Sequence, residues 1–251
     1  SNKFGGIYMA GHSKWANIKN KKGKTDAERG KLFTKVGRQI AVAVKEGGSD
    51  PETNPRLRDA IANAKAVNMP NDNIDRSIKR ASGELGNVIY EEITYEGYGP
   101  NGVAVIVQAL TDNRNRTAGE MRYNFDRSGG SLGSSGCVSW MFDRKGIVLI
   151  ENNGDINEDD LMMEALEMGA DDIDLTDGVF EIQADPTNLA QIRDGLERNG
   201  YVVASSEVVM IPQNYVALDG EQLEQAKTLF ERLEDHDDVQ EIYHNLALDE
   251  E

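Results

Sequence analysis

Five lysines, Lys14, Lys19, Lys21, Lys22 and Lys24, fall between positions 14 and 24 with no acid among them. Ammonium groups at that density, on an arm that also carries Gly and Asn, suit the phosphates of a polyanion. The pattern continues inside a helix: Lys31, Lys35, Arg38 and Lys45 recur at i, i+4, i+7 and i+14. At about 100° per residue these fall on one face. Arg58 and Lys65 lie seven apart on a second helix. Arg114 and Arg116 stand just ahead of another expected helix start, where backbone N–H groups lack partners and an anion is welcome. Trp15, inside the arm, either stacks on a base or anchors the arm to a core. Against all of these stands a plainer reading, since most charge runs are solvated helix faces and arginines often pair with nearby acids.

No other chemistry competes. His12, His236 and His244 are the only histidines, and Cys137 is the only cysteine. None has the spacing of a metal site. His236 lies in the acidic run Glu234-Asp235-His236-Asp237-Asp238, which reads as a solvated turn. The stretch SGGSLGSSG, Ser128 to Gly136, lacks the Lys-Ser/Thr ending of a phosphate-cradling loop, and no nucleophile elbow or zincin helix is present. No catalytic residue, cofactor, metal or small-molecule substrate is expected. A lone cysteine fits a reducing compartment, and no apolar run approaches the ~20 residues of a membrane span. The expectation is a cytoplasmic protein. Residues Ser1 to Tyr8 read as a remnant ahead of a natural start at Met9.

Charge is segregated along the chain. Residues 9–85 hold 16 Lys and Arg against 9 Asp and Glu, a net of +7, while 86–251 hold 10 against 35, a net of −25. Solubility alone does not need that split. An acidic remainder would repel phosphates and turn the basic end toward them.

The elements that must position these residues follow from local signals. Thr25 and Glu28 form a capping box, so a helix begins after Thr25, with Leu32, Phe33, Val36, Ile40 and Val44 as its apolar stripe. Gly47-Gly48 ends it. Asn54-Pro55 starts a second helix, and a third follows Asn71 and closes at Gly83. The period then changes to two. Val88 to Tyr98 and Val103 to Leu110 read as strands around the turn Gly99-Pro100-Asn101-Gly102. Thr117 and Glu120 suggest a second capping box and a helix start there. Ser128 to Gly136 reads as a linker. Cys137 to Phe142 and Ile147 to Glu151 read as paired strands turning at Asp143 to Gly146, with Trp140 in the sheet core or a domain interface.

The expected fold is α+β and multidomain: an all-α three-helix domain at 9–85, then two small α+β sandwiches, each of ββαβαβ order. One is discontinuous, 86–134 plus 207–251, and the other, 135–206, is inserted in it.

Four blocks carry a specific resemblance. GHSKWANIKNKKGKTDAERGKLFTKVGRQI, NPRLRDAIANAKAVNMPNDNIDRSIKR, YEGYGPNGVAVIVQALTDNRNRTAGEMR and GGSLGSSGCVSWMF look like the YebC/PmpR family, from Met9 to the C-terminus. The resemblance implies a helical N-terminal domain followed by two α+β domains. It implies a non-enzymatic regulator of gene expression, usually assigned as DNA-binding. A related mitochondrial translational activator makes a ribosome or rRNA partner the alternative.

Overall fold

The computed structural model describes residues 25–83, 88–176 and 178–248. Three helices open it: α1 (Asp26–Gly47), α2 (Pro55–Ala66) and α3 (Asn71–Ser82). The Thr25 hydroxyl accepts from the Glu28 N–H while the Glu28 carboxylate accepts from the Thr25 N–H, the expected capping box. Asn54 caps α2, accepting from the Leu57 N–H at 3.1 Å. Its amide also donates to the Ala43 and Gly48 carbonyls, both at 2.8 Å. A Cβ at Gly47 would lie 2.8 Å from that amide, so the close approach requires glycine. Val36, Ile40, Ala43 and Val44 of α1 meet Leu57, Ala60 and Ala64 of α2 and Ile74 of α3 in one core. Burial of each large aliphatic there contributes roughly 1.5–3 kcal/mol.

Along the chain follow β1 (Glu91–Tyr98), β2 (Ala104–Thr111), α4 (Arg114–Arg127), β3 (Ser131–Leu132), β4 (Phe142–Glu151), α5 (Glu158–Glu167), β5 (Asp172–Thr176), β6 (Val179–Ala184), α6 (Leu189–Arg198), β7 (Val203–Pro212), α7 (Gly220–Asp235) and β8 (Val239–His244). They build two four-stranded sheets, ordered β3-β1-β2-β8 and β5-β6-β4-β7. The chain divides into two compact units. One is Asp143–Ile211; the other holds Thr25–Phe142 and residues 212–248.

Within the second of these units, β2 contributes Val103-side residues Val105 and Val107 to a core closed by Met121 and Phe125 of α4 and Leu229, Phe230 and Leu233 of α7. Without α7 and β8 this sheet would lose an edge strand and half its cover. In the Asp143–Ile211 unit, Val148 and Ile150 of β4 and Phe180 and Ile182 of β6 pack on Leu161 of α5 and Ile192 and Leu196 of α6. Both β4 and β5 run antiparallel to β6, which lies between them, so β4 and β5 are parallel. This is a split βαβ arrangement in β-α-β-β-α-β order. The other sheet has the same spatial plan entered at a different strand. There β1 lies between β2 and β3, and α4 joins those two.

Four local expectations need correction. The strands expected at Cys137 to Phe142 and Ile147 to Glu151 are not a pair; β4 runs straight through Asp143 to Gly146, with Gly146 opposite Ala184. The inserted unit is therefore βαββαβ, not ββαβαβ. Helix α4 starts at Arg114, capped by Asn113, whose side chain accepts from the Arg116 N–H at 3.0 Å. Thr117 is inside the helix, and Arg114 and Arg116 occupy its first turn rather than preceding it. The Gly/Ser stretch is part of the sheet: Ser131 and Leu132 form β3 on the β1 edge. Finally, Trp140 is 67% exposed, in a short 3-10 turn, although its flanking Val138 and Phe142 are buried.

Candidate nucleic-acid interface

Lys14, Trp15, Lys19, Lys21, Lys22 and Lys24 lie outside the described residues. The remaining candidates sit in the unit that contains the three helices. Arg58 and Lys65 are exposed on α2; the Arg58 guanidinium donates to the Pro51 and Glu52 carbonyls at 2.9 and 3.2 Å. Arg114 pairs with Glu91 at 2.9 Å on the surface. Lys45, from the basic face of α1, donates to the Val88 carbonyl at 2.7 Å.

Lys31, Lys35 and Arg38 share the face of α1 that spacing places opposite the apolar stripe. That face is not bare. It meets the C-terminal end of α7 and the turn into β8. Lys31 Nζ lies 2.5 Å from Asp235 Oδ1, and Lys35 Nζ donates to the Glu234 carbonyl. The Asp235 carboxylate raises the Lys31 pKa: its hydrogen bond and charge favour the ammonium form. Gln39 donates to Gln240 Oε1 at 2.6 Å, and Gln240 donates back to the Lys35 carbonyl at 3.3 Å.

Arg38 enters a buried network. Its guanidinium lies 2.5 Å from Asp238 Oδ1, donates to the Leu110 carbonyl at 3.0 Å, and sits 5.2 Å from the Tyr90 ring centre. Arg116 reaches the same carboxylate at 3.0 Å and also pairs with Asp112 at 3.0 Å. The Thr117 hydroxyl donates to Asp238 Oδ2 at 2.8 Å. Burial opposes the Asp238 charge, but hydrogen bonds from Arg38, Thr117 and Arg116 outweigh it and hold the carboxyl at about 2. The hydrogen bond and charge of Asp238, and after them those of Asp112, raise the Arg116 pKa further. The His236 ring bonds Glu120 on one side and accepts from the Asp238 N–H on the other at 3.0 Å. Glu120, His236 and Asp238 thus bring three ligand-type atoms within 4.8 Å of one another. Two guanidiniums already compensate Asp238, which works against a cation there.

Sequence reasoning missed two organising residues: Asp238, expected in a solvated acidic turn, is 1% exposed at the centre of this network, and Glu96 organises a second one. Glu96 is buried on β1 and accepts from the backbone N–H groups of Gly136, Val138 and Ser139 at 2.5, 3.2 and 2.6 Å. Burial disfavours its charge, yet those N–H groups prevail and lower its pKa. The carboxylate fixes the loop that carries Trp140, whose indole N–H is itself spent on the Cys137 carbonyl at 3.1 Å. No local signal marks Glu96, since strand alternation reads a glutamate as facing solvent and its partners lie some forty positions away.

Fold and charge together define a class: a basic three-helix module joined to an acidic α+β body interrupted by a second α+β unit. A family profile described as "TACO1/YebC protein N-terminal domain" matches residues 13–84, and one described as "TACO1/YebC second and third domain" matches 90–246. A probable transcriptional regulatory protein of Acetivibrio thermocellus is 59% identical over 238 residues, covering 94% of this chain and 98% of that protein. Another of the same description, from Caldicellulosiruptor bescii, is 57% identical over 243 residues, covering 97% and 100%. A solved structure of a conserved hypothetical protein from Aquifex aeolicus superposes with a TM-score of 0.81 at 45% identity, covering 95% and 98%. The chain belongs to the TACO1/YebC family. Among the described residues no helix is long and apolar enough to cross a membrane.

Proposed function

We propose that this protein is a non-enzymatic, nucleic-acid-binding regulator of gene expression in the cytoplasm, acting on DNA in transcription. The observation that carries the reading is the segregation of charge, +7 over residues 9–85 against −25 over the rest. The relatives' description as probable transcriptional regulatory proteins supports the regulatory part. The proposed contacts are first the arm, Lys14, Trp15, Lys19, Lys21, Lys22 and Lys24, with Arg58, Lys65, Lys31 and Lys35. Lys31, Arg38, Arg114 and Arg116 already meet carboxylates and would reach a phosphate only by exchanging partners. We further propose three domains, 9–85, 86–134 with 207–251, and 135–206, the last extended to Ile211 because β7 runs unbroken through Ser206; autonomous folding of 135–211 in isolation tests it.

One feature favours a translational reading instead. Between Met9 and Thr25 the basic residues are all lysines. Lysine meets phosphate as a point charge, whereas bidentate reading of guanine favours arginine. Backbone and shape recognition of that kind suits folded RNA as well as duplex DNA.

The deciding experiment is competition at physiological salt. Bound, labelled promoter duplex is challenged with unrelated duplex and with ribosomes. Specific retention of promoter supports transcription. Equal competition by unrelated duplex, with far tighter binding to ribosomes, replaces it with translation. In either case, replacing Lys19, Lys21 and Lys22 by Gln should lower the log–log salt slope by roughly two to three units, about one per phosphate contact.

A further inference from the structure

A phosphate-binding face should present its ammonium groups to solvent. On α1 they point instead at the end of another helix. The last turn of α7 carries the partial negative charge of a helix C-terminus, and Lys35 donates to one of its carbonyls, that of Glu234. Asp235 adds a carboxylate against Lys31, and Asp237 adds a further favourable charge nearby. A helix C-terminus with two carboxylates offers much the same pattern as a phosphate backbone: several anionic oxygens, closely spaced, at the surface.

This contact is also exchangeable. The Lys31 and Asp235 side chains remain 48% and 68% exposed, so water screens their attraction and supplies ready replacements for either partner. Nothing buried is lost when they part. A duplex or folded RNA brings a higher density of charge and releases condensed counterions when it binds.

We propose that the C-terminal end of α7, through Asp235 and Asp237, is an internal polyanion mimic seated on Lys31 and Lys35, and that nucleic acid gains this face when the two lysines exchange these oxygens for phosphates, the backbone between buried Leu233 and Asp238 staying in place. The inference rests on the nucleic-acid reading above. It makes the acidic body a brake on the basic module rather than a passive counterweight, so weak or sparse polyanions are refused while dense ones are accepted.

The test is the double variant D235N/D237N in the full chain, titrated with a short labelled duplex DNA and with a labelled RNA hairpin. Binding should tighten several-fold, and the salt slope should steepen by roughly one to two units as Lys31 and Lys35 join the interface. The gain should vanish when K31Q/K35Q is added, which ties it to this face. It should exceed the gain from E224Q/E231Q, exposed acids on α7 whose removal changes net charge equally. An unchanged affinity, a gain that survives K31Q/K35Q, or a gain matched by E224Q/E231Q overturns the proposal. Wild-type protein that binds neither probe at low salt removes the underlying reading and this one with it. An independent measurement uses the unmodified protein: on adding duplex, the backbone amide resonances of Asp235 to Gln240 should shift, and silence there with binding present overturns the proposal.

Discussion

Lys31 and Arg38 lie two helical turns apart on one face of α1, and both meet carboxylates from a single four-residue stretch, Asp235 and Asp238. The two pairs do different work. Lys31 and Asp235 are about half exposed. Arg38 and Asp238 are 14% and 2% exposed, and Asp238 gathers Arg116 and the Thr117 hydroxyl as well. A wet pair gains little from its contact, because water screens the charges and competes for both partners. A dry carboxylate with three donors is costly to disturb, because the buried donors lose charge-assisted bonds that water does not readily replace. The same basic stripe thus changes over seven residues from an exchangeable contact to a structural clamp joining α1, α4 and the turn before β8.

The sharpest way to break that contrast is to remove the clamp. Asp238→Ala takes the carboxylate from Arg38, which is largely buried and keeps the Leu110 carbonyl, and leaves Thr117 with one acceptor fewer. Because Arg116 keeps Asp112 and some water, the cost should sit near the lower end for a broken buried pair, about 3 kcal/mol in urea unfolding. A loss below about 1 kcal/mol would place Asp238 in the same category as Asp235.

Acid should act on the clamp more gently. The folded Asp238 carboxyl is held at about 2, below its ordinary value of 3.8. A depressed pKa means that the ionised form stabilises the fold. That contribution is complete above the unfolded value and is lost as pH falls from about 4 toward 2. The shift corresponds to about 2 kcal/mol at neutral pH. Stability measured at successive pH values should therefore decline through that window, and Asp238→Asn should flatten this part of the curve. A wild-type curve that is already flat there would mean that the three donors do not hold the charge.

Sequence exposed one half of this arrangement. The Thr25 capping box and the Asn54-Pro55 start were legible because every partner lies within a helical turn or so. The apolar stripe of α1 was legible because periodicity is local. The start of α4 was misplaced because Asn113 and Thr117 both offer cap oxygens one turn apart. Thr117 is drawn into Asp238, 121 positions away, which no spacing rule reveals. The Gly/Ser segment passed for a linker because β3 is only two residues long, and its anchor, Glu96, belongs to an earlier strand. Asp143 and Arg144 imitate a turn, yet they are simply exposed residues on an uninterrupted strand. The basic face of α1 could be read from spacing, but its acidic partner, 204 residues later, could not.

The smallest expected effect is at the other end of the stripe. Lys31→Gln removes the ammonium from Asp235 but leaves the first two methylenes of the stem against α1. Both charged groups were already in contact with water, so neither is stranded. The urea midpoint should not move measurably, and raising the salt concentration should leave the variant and the wild type equally stable. Nucleic-acid affinity is a separate observable: it should fall slightly, with a shallower salt slope, since one cation is missing from the face that opens. A clear drop in stability, comparable to that of Asp238→Ala, would show that the Asp235 contact is itself part of the clamp. The contrast along α1 would then collapse, and with it the reason for regarding Lys31 and Lys35 as available to a phosphate backbone while Arg38 is held.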